Sequence, residues 1–150
     1  MLKIREADNT ILWNLGGGWG VGVALIAKDS STVSLVSWPS GSVDGSDVVS
    51  VTGIGNLIGK WHLVTIVANV YGTTLYVDDQ YATVSMLLPA EIEEKGQFGS
   101  IHGTHKNYNA VSGDGFLLDD WRVYDAALTH AEVKALKSEI LPKPFNFILR

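Results

Sequence analysis

Asp119 and Asp120 stand side by side in the stretch GFLLDDWRVYD, and Glu91, Glu93 and Glu94 crowd the segment PAEIEEK. Two carboxylates flanking one bond would suit glycoside hydrolysis, one acting as acid and the other as base or nucleophile. Neighbours on a strand point to opposite faces, so Asp119 and Asp120 are not expected to flank one glycosidic bond. Asp119 is expected to turn inward and accept backbone or tryptophan N–H bonds. The three glutamates fall in a connecting segment. No residue is assigned a catalytic role on these grounds.

Other reactive types are equally short of partners. His102 and His105 stand three apart in a polar stretch, a spacing that permits joint metal ligation, but no third ligand sits at fixed spacing. His62, beside Trp61, reads as a packing residue at a strand start. The chain has no cysteine, which removes thiol nucleophiles, disulfides and Cys-containing metal sites. Its serines lack the strand–turn–helix setting of a nucleophile elbow. Gly16-Gly17-Gly18 is not followed by Gly-Lys-Ser/Thr and precedes a strand, so it is not a phosphate loop. Calcium requires several hard oxygens converging at a loop. Asp44 and Asp47 in one loop, with Asp114 in another, are the candidates, against the plainer reading of solvated turn residues.

Binding chemistry has more to work with. A sugar site needs an exposed aromatic platform beside amides and carboxylates. Trp19, Trp38, Tyr71 and Tyr108 are the aromatic candidates. Trp38 ends a strand beside the polar run PSGSVDGSD, and Tyr108 sits between Asn107 and Asn109. Trp38, Asn107, Tyr108 and Asn109 are therefore the expected ligand contacts. Core burial is the competing expectation for the tryptophans.

The elements that would position these groups are mostly strands. Runs rich in β-branched residues predict strands over Thr10 to Leu15, Trp19 to Ala27, Thr32 to Trp38 and Val48 to Thr52. Further strands follow over Trp61 to Val70, Thr73 to Val77, Tyr81 to Leu88, Phe98 to His102 and Phe116 to Tyr124. Trp61 to Val70, almost wholly apolar or β-branched, is expected to be central. In the second strand Gly20 and Gly22 share one face, leaving room for the other sheet or a neighbouring chain to approach. Thr129 opens the one convincing helix, with Glu132 three residues on as its capping-box partner. Val133, Leu136 and Ile140 give it an apolar stripe, and Pro142 and Pro144 stop it. The prediction is all-β: a two-sheet antiparallel β-sandwich, a jelly roll, with one short helix from about Thr129 to Glu139.

Composition fits one such domain across all 150 residues, with 46% apolar and only 18% charged residues. The formal net charge of −5 and the lack of clustered Lys and Arg argue against nucleic acid. No apolar run is long enough to span a membrane as a helix, and the start MLKIREADNT lacks the apolar stretch of a secretory signal.

The stretches WHLVTIVANVYGTTLYVDDQ and GFLLDDWRVYDAALTHAEVKAL together resemble the laminin-G-like, concanavalin A-like jelly-roll superfamily. The residues carrying the resemblance are Trp61, His62, Tyr76, Val77, Asp78, Asp119, Asp120, Tyr124, Asp125, Leu128, Thr129 and Glu132. The resemblance spans roughly Thr10 to Ile140. It implies two stacked sheets and the company of carbohydrate-binding modules, lectins, adhesion domains and appendages of secreted hydrolases, many with Ca²⁺ at a sandwich rim. The Glu-x-Asp-x-x-Glu strand motif of the superfamily's retaining hydrolases does not occur here. The expected role is a non-catalytic binding or accessory domain, with carbohydrate as its ligand class. The alternatives are a structural, assembly or adhesion domain of a surface or virion protein, and a glycoside hydrolase. An extracellular, cell-surface or virion setting is implied by the resemblance only. Fold alone does not transfer a role.

Relatives of this type begin with a strand or two before the equivalent of Thr10, and only nine residues precede it here. An open sheet edge is a liability. Residues 141–150 are expected to form an extended tail. Its apolar Phe145, Phe147 and Leu149 would cover that edge in the same chain or in a neighbouring one, which would make a homo-oligomer.

Overall fold

The computed structural model describes residues 1–15, 22–38, 46–85, 97–98 and 115–140. Its elements are β1 (Leu2–Ile4), β2 (Thr10–Leu15), β3 (Gly22–Asp29), β4 (Thr32–Trp38), β5 (Ser46–Val51), β6 (Trp61–His62), β7 (Val64–Asn69), β8 (Gly72–Val77), β9 (Gln80–Val84), β10 (Gln97–Phe98), β11 (Phe116–Leu118) and the helix α1 (His130–Ile140). All strand pairs are antiparallel. One sheet runs β10-β2-β3-β4-β5, and two three-stranded sheets run β11-β1-β6 and β7-β8-β9. The chain passes from β6 into β7 across the single residue Leu63, so the two smaller sheets are linked directly. The core joins these layers. Leu2 and Ile4 from β1 and Leu75 and Val77 from β8 pack with Leu12, Val23, Leu25, Val33 and Leu35 of the large sheet. The protein is an all-β sandwich with one short helix, as its strand-period patterning predicts.

β3 is buried along both faces. Val23, Leu25 and Ala27 face the main core, whereas Ala24 and Ile26 join Ile11, Val36 and Trp38 in a second buried cluster. Gly22 pairs with Trp38 across the β3–β4 ladder. A Cβ at Gly22 would lie 2.1 Å from Cζ2 of Trp38. The space left by this glycine is therefore filled by the ring of the adjacent strand, not by another sheet or another chain. Asp29 closes the β3–β4 turn, its Oδ1 accepting the Ser31 amide at 2.7 Å and the Ser31 hydroxyl at 2.9 Å. Those bonds hold the Asp29 carboxyl below the ordinary carboxylate range.

Three expectations are corrected. The first strand is not missing: Leu2–Ile4 pairs with β11 on one side and β6 on the other. Residues 141–150 themselves lie outside the described residues. The run from Trp61 is not one central strand. It breaks at Leu63, and β7 stands at the edge of its sheet among the described strands, because His62 and Val64 pair with different partners, Leu2 and Val77. The strand at Phe116 ends at Leu118, and Asp120 turns the chain with φ of 53°, a conformation that stops strand alternation.

The helix starts where its capping box places it. The Thr129 amide and hydroxyl donate to Glu132 Oε2 at 2.7 and 2.8 Å, and the Glu132 amide donates back to Thr129 Oγ1 at 3.3 Å. Val133 is buried against Val67 and Tyr76, which docks the helix on the face of β7 and β8 that points away from the main core. No helix among the described residues is long and apolar enough to cross a membrane.

Candidate binding site

Phe98 and Trp13 are register partners on β10 and β2, which brings two aromatic rings to one place. Trp121, just past the end of β11, completes the group. Its ring centroid lies 5.0 Å from that of Phe98 in an edge-on arrangement and 5.9 Å from that of Trp13. Such tilted and T-shaped contacts suit the ring quadrupoles. Trp121 is nevertheless 53% exposed and Phe98 43%. The three rings line a cleft of about 420 Å³. Residues of β7, including Thr65, Ile66 and Val67, line it too, as do Asp120, Arg122, Tyr124, Asp125 and Leu128.

The polar groups of the cleft are pre-arranged. Arg122 Nε and Nη2 donate to the two carboxylate oxygens of Asp120 at 2.7 and 2.8 Å, a two-pronged pairing that fixes both planes. Arg122 Nη1 also reaches Glu139 Oε2 on the helix at 3.4 Å. The guanidinium holds the Asp120 carboxyl below the ordinary range, and the Asp120 and Tyr124 side chains push the Arg122 pKa up. Both groups stay charged at neutral pH. A general acid needs a raised carboxyl pKa, which makes Asp120 unsuited to that task. Apolar ring faces beside fixed hydrogen-bonding groups are what a sugar ring, with its C–H faces and hydroxyl edge, requires.

Of the residues expected to contact a ligand, Trp38 is fully buried in the second core cluster and cannot serve as a surface platform. It ends β4 beside a polar loop, but its ring folds back over Gly22. Asn107, Tyr108 and Asn109 lie outside the described residues, as do Trp19, His102 and His105. Tyr71 is 86% exposed at the β7–β8 turn and lines neither depression described here. Local sequence does not mark Trp121 and Phe98 as platform residues. Trp121 follows a pair of aspartates in what reads as a continuing strand, and only the break at Asp120 turns it outward.

Of the calcium candidates, Asp44 and Asp114 lie outside the described residues. Asp47 pairs with Lys28 Nζ at 3.0 Å, so an ammonium ion already balances its carboxylate. Among the described residues no group of three His, Asp or Glu side chains is placed to hold a metal. Asp119 is exposed rather than inward. Its amide donates to the Met1 carbonyl at 2.9 Å, closing the β1–β11 ladder where strand alternation ends.

A second, more polar depression of about 420 Å³ is lined by Ser50, Thr52, Asp79, Gln80 and Tyr81. Beside it Tyr81 stacks on Tyr76 at 5.4 Å and meets His130 at 4.9 Å. Lys137 Nζ donates to Asp79 Oδ2 at 2.5 Å, tying the helix to the β8–β9 turn.

The sandwich, its docked helix and the motif residues have a counterpart among known families. A laminin-G-type family profile matches residues 3–134, and the chain belongs to that family of the concanavalin A-like lectin/glucanases superfamily. Comparison with curated proteins finds no match. A similar solved structure is that of residues 221–444 of an S-layer domain-containing protein from Clostridium thermocellum, with 22% identity and a TM-score of 0.47. The likeness covers 84% of this chain and 61% of that one, so this chain spans about three fifths of the solved piece.

Proposed function

We propose that this chain is a non-catalytic binding or accessory domain whose ligand is carbohydrate, held in the cleft of Trp13, Phe98 and Trp121. One observation carries the reading: an exposed tryptophan, braced by two further rings, stands beside a fixed Asp120–Arg122 pair. A sugar would lay its apolar face on Trp121 and direct its hydroxyls to the charged pair. Membership of a lectin-containing superfamily supports the same reading, and an extracellular or cell-surface setting goes with it. A glycan array probed with and without Ca²⁺, using wild type and W121A, tests it. Binding that W121A removes is the expected result, and an array without binders under both conditions overturns the reading.

An assembly or adhesion role is the second reading. It is supported by Leu117 and Trp61, which flank Lys3 across the β11-β1-β6 sheet and are 38% and 37% exposed. Exposed apolar rows of this kind suit protein contacts. Concentration-dependent sedimentation that W61A abolishes would favour it over the glycan reading.

A further inference from the structure

Resting on the carbohydrate reading, we infer that the cleft selects uncharged glycans and rejects acidic ones, because the cations among its described lining residues are already engaged. Among the described residues lining the cleft, the cations are the Arg122 guanidinium and the Met1 ammonium, which donates to the Asp119 carbonyl, against the carboxylates of Asp120 and Asp125. The Nε–Nη2 edge of Arg122, the one that grips a carboxylate two-pronged, is not available to an incoming anion. Two of its nitrogens hold Asp120 at 2.7 and 2.8 Å, and the third faces Glu139 at 3.4 Å. A bidentate guanidinium–carboxylate pair presents the same planar fork to a uronate or sulfate that Asp120 already fills. An acidic sugar would have to displace Asp120 and leave an extra negative charge at the cleft mouth. A neutral sugar meets no such conflict: carboxylate oxygens not fully used by Arg122 accept its hydroxyl protons, and Trp121 takes its apolar face. The net charge of −5 over the whole chain adds long-range repulsion of polyanions at low salt.

The geometry also supplies the means to reverse the preference. Asp120 has φ of 53°, a backbone conformation that Asn accepts as readily as Asp. Glu139 is an exposed helix residue outside the cleft lining, its side chain 63% exposed. D120N combined with E139Q therefore removes both negative charges that engage Arg122 with little demand on the fold, and circular dichroism checks that the sandwich persists. E139Q alone removes the outer carboxylate with still less disturbance.

The test is an array of neutral, uronate-bearing and sulfated oligosaccharides at pH 7 and low salt, read with wild type, E139Q, the double variant and W121A. Wild type is expected to bind neutral members, through Trp121, at least about tenfold better than acidic ones. The double variant should raise the acidic signal by about tenfold, with E139Q in between. Wild type binding acidic members best through Trp121 would overturn the charge selection while leaving the carbohydrate reading intact. A double variant with no acidic gain would overturn it as well, since Arg122 would not be the determinant. No Trp121-dependent binding in either class would overturn the inference together with the reading on which it rests.

Discussion

His62 Nδ1 lies 2.7 Å from Asp78 Oδ2, and this contact pins the point where the chain leaves one small sheet for the other. The other oxygen of Asp78 accepts the Leu63 amide at 3.1 Å, and the Asp78 amide donates to the Leu63 carbonyl at 2.8 Å. Leu63 belongs to neither β6 nor β7, so its amide and carbonyl are satisfied by Asp78 at the β8–β9 turn. His62 is buried, and its Nε2 has no hydrogen-bond partner among the described residues. The pair is a structural clamp and not part of the cleft lining.

Replacing the clamp's carboxylate should cost stability. D78N keeps a residue that tolerates φ of 54° but weakens the bonds to His62 and Leu63. A loss of about 1–3 kcal/mol is expected, read as a lower urea midpoint with unchanged slope. An unchanged midpoint would show the contact to be idle.

The same carboxylate sets a pH dependence. Burial alone would push the Asp78 carboxyl up, but the His62 side chain, the Leu63 amide and the charges of His62 and Lys137 bring it below its ordinary value. A carboxyl depressed in the folded state contributes stability that is complete above its unfolded pKa of about 3.9 and is lost as pH falls through the lower folded value. Wild type should therefore lose stability more steeply than D78N below about pH 4, with a constant gap between them from pH 5 to 6. Parallel curves through the acid range would count against the assignment.

Trp121 should matter for binding and little for folding. It is half exposed, so W121A is expected to shift the melting temperature by no more than about 2 °C while weakening glycan binding by tenfold or more. Calorimetric titration alongside thermal melting reads both. A large melting shift with intact affinity would place Trp121 in the scaffold.

Gly22 and Trp38 should behave as one packing unit. G22A sets a methyl against the indole and is expected to cost about 1–3 kcal/mol. W38F also destabilises, by leaving space in the second cluster. Because the smaller ring relieves the clash, the double variant should be more stable than the sum of the singles predicts. Strict additivity in denaturant melts would mean that the two side chains do not share the space.

T129A removes the hydroxyl half of the capping box. Helix capping of this type is worth about 1 kcal/mol, so the melting temperature should fall by about 2–4 °C. A fall in helical ellipticity without change in the tryptophan environment would localise the loss to α1.

Local signals carried much of this architecture. The capping box at Thr129, the chain reversal near Tyr71 and the turn at Asp78-Asp79 each depend on residues a few positions apart, so their spacing declares them to within a residue. Alternation along Gly22 to Ala27 likewise separates two faces. It does not say what covers either one. Trp38 is buried because Gly22, sixteen positions earlier, leaves a gap across the ladder. Trp121 is exposed because the strand stops at Leu118 and Asp120 turns the chain. The short run Leu2–Ile4 gives too little periodicity to be read as a strand by itself and becomes one only between β6 and β11. The cleft has the same origin. Trp13, Phe98 and Trp121 are far apart in the chain, and their meeting is decided by long-range strand pairing, whose register depends on partners that no local spacing specifies.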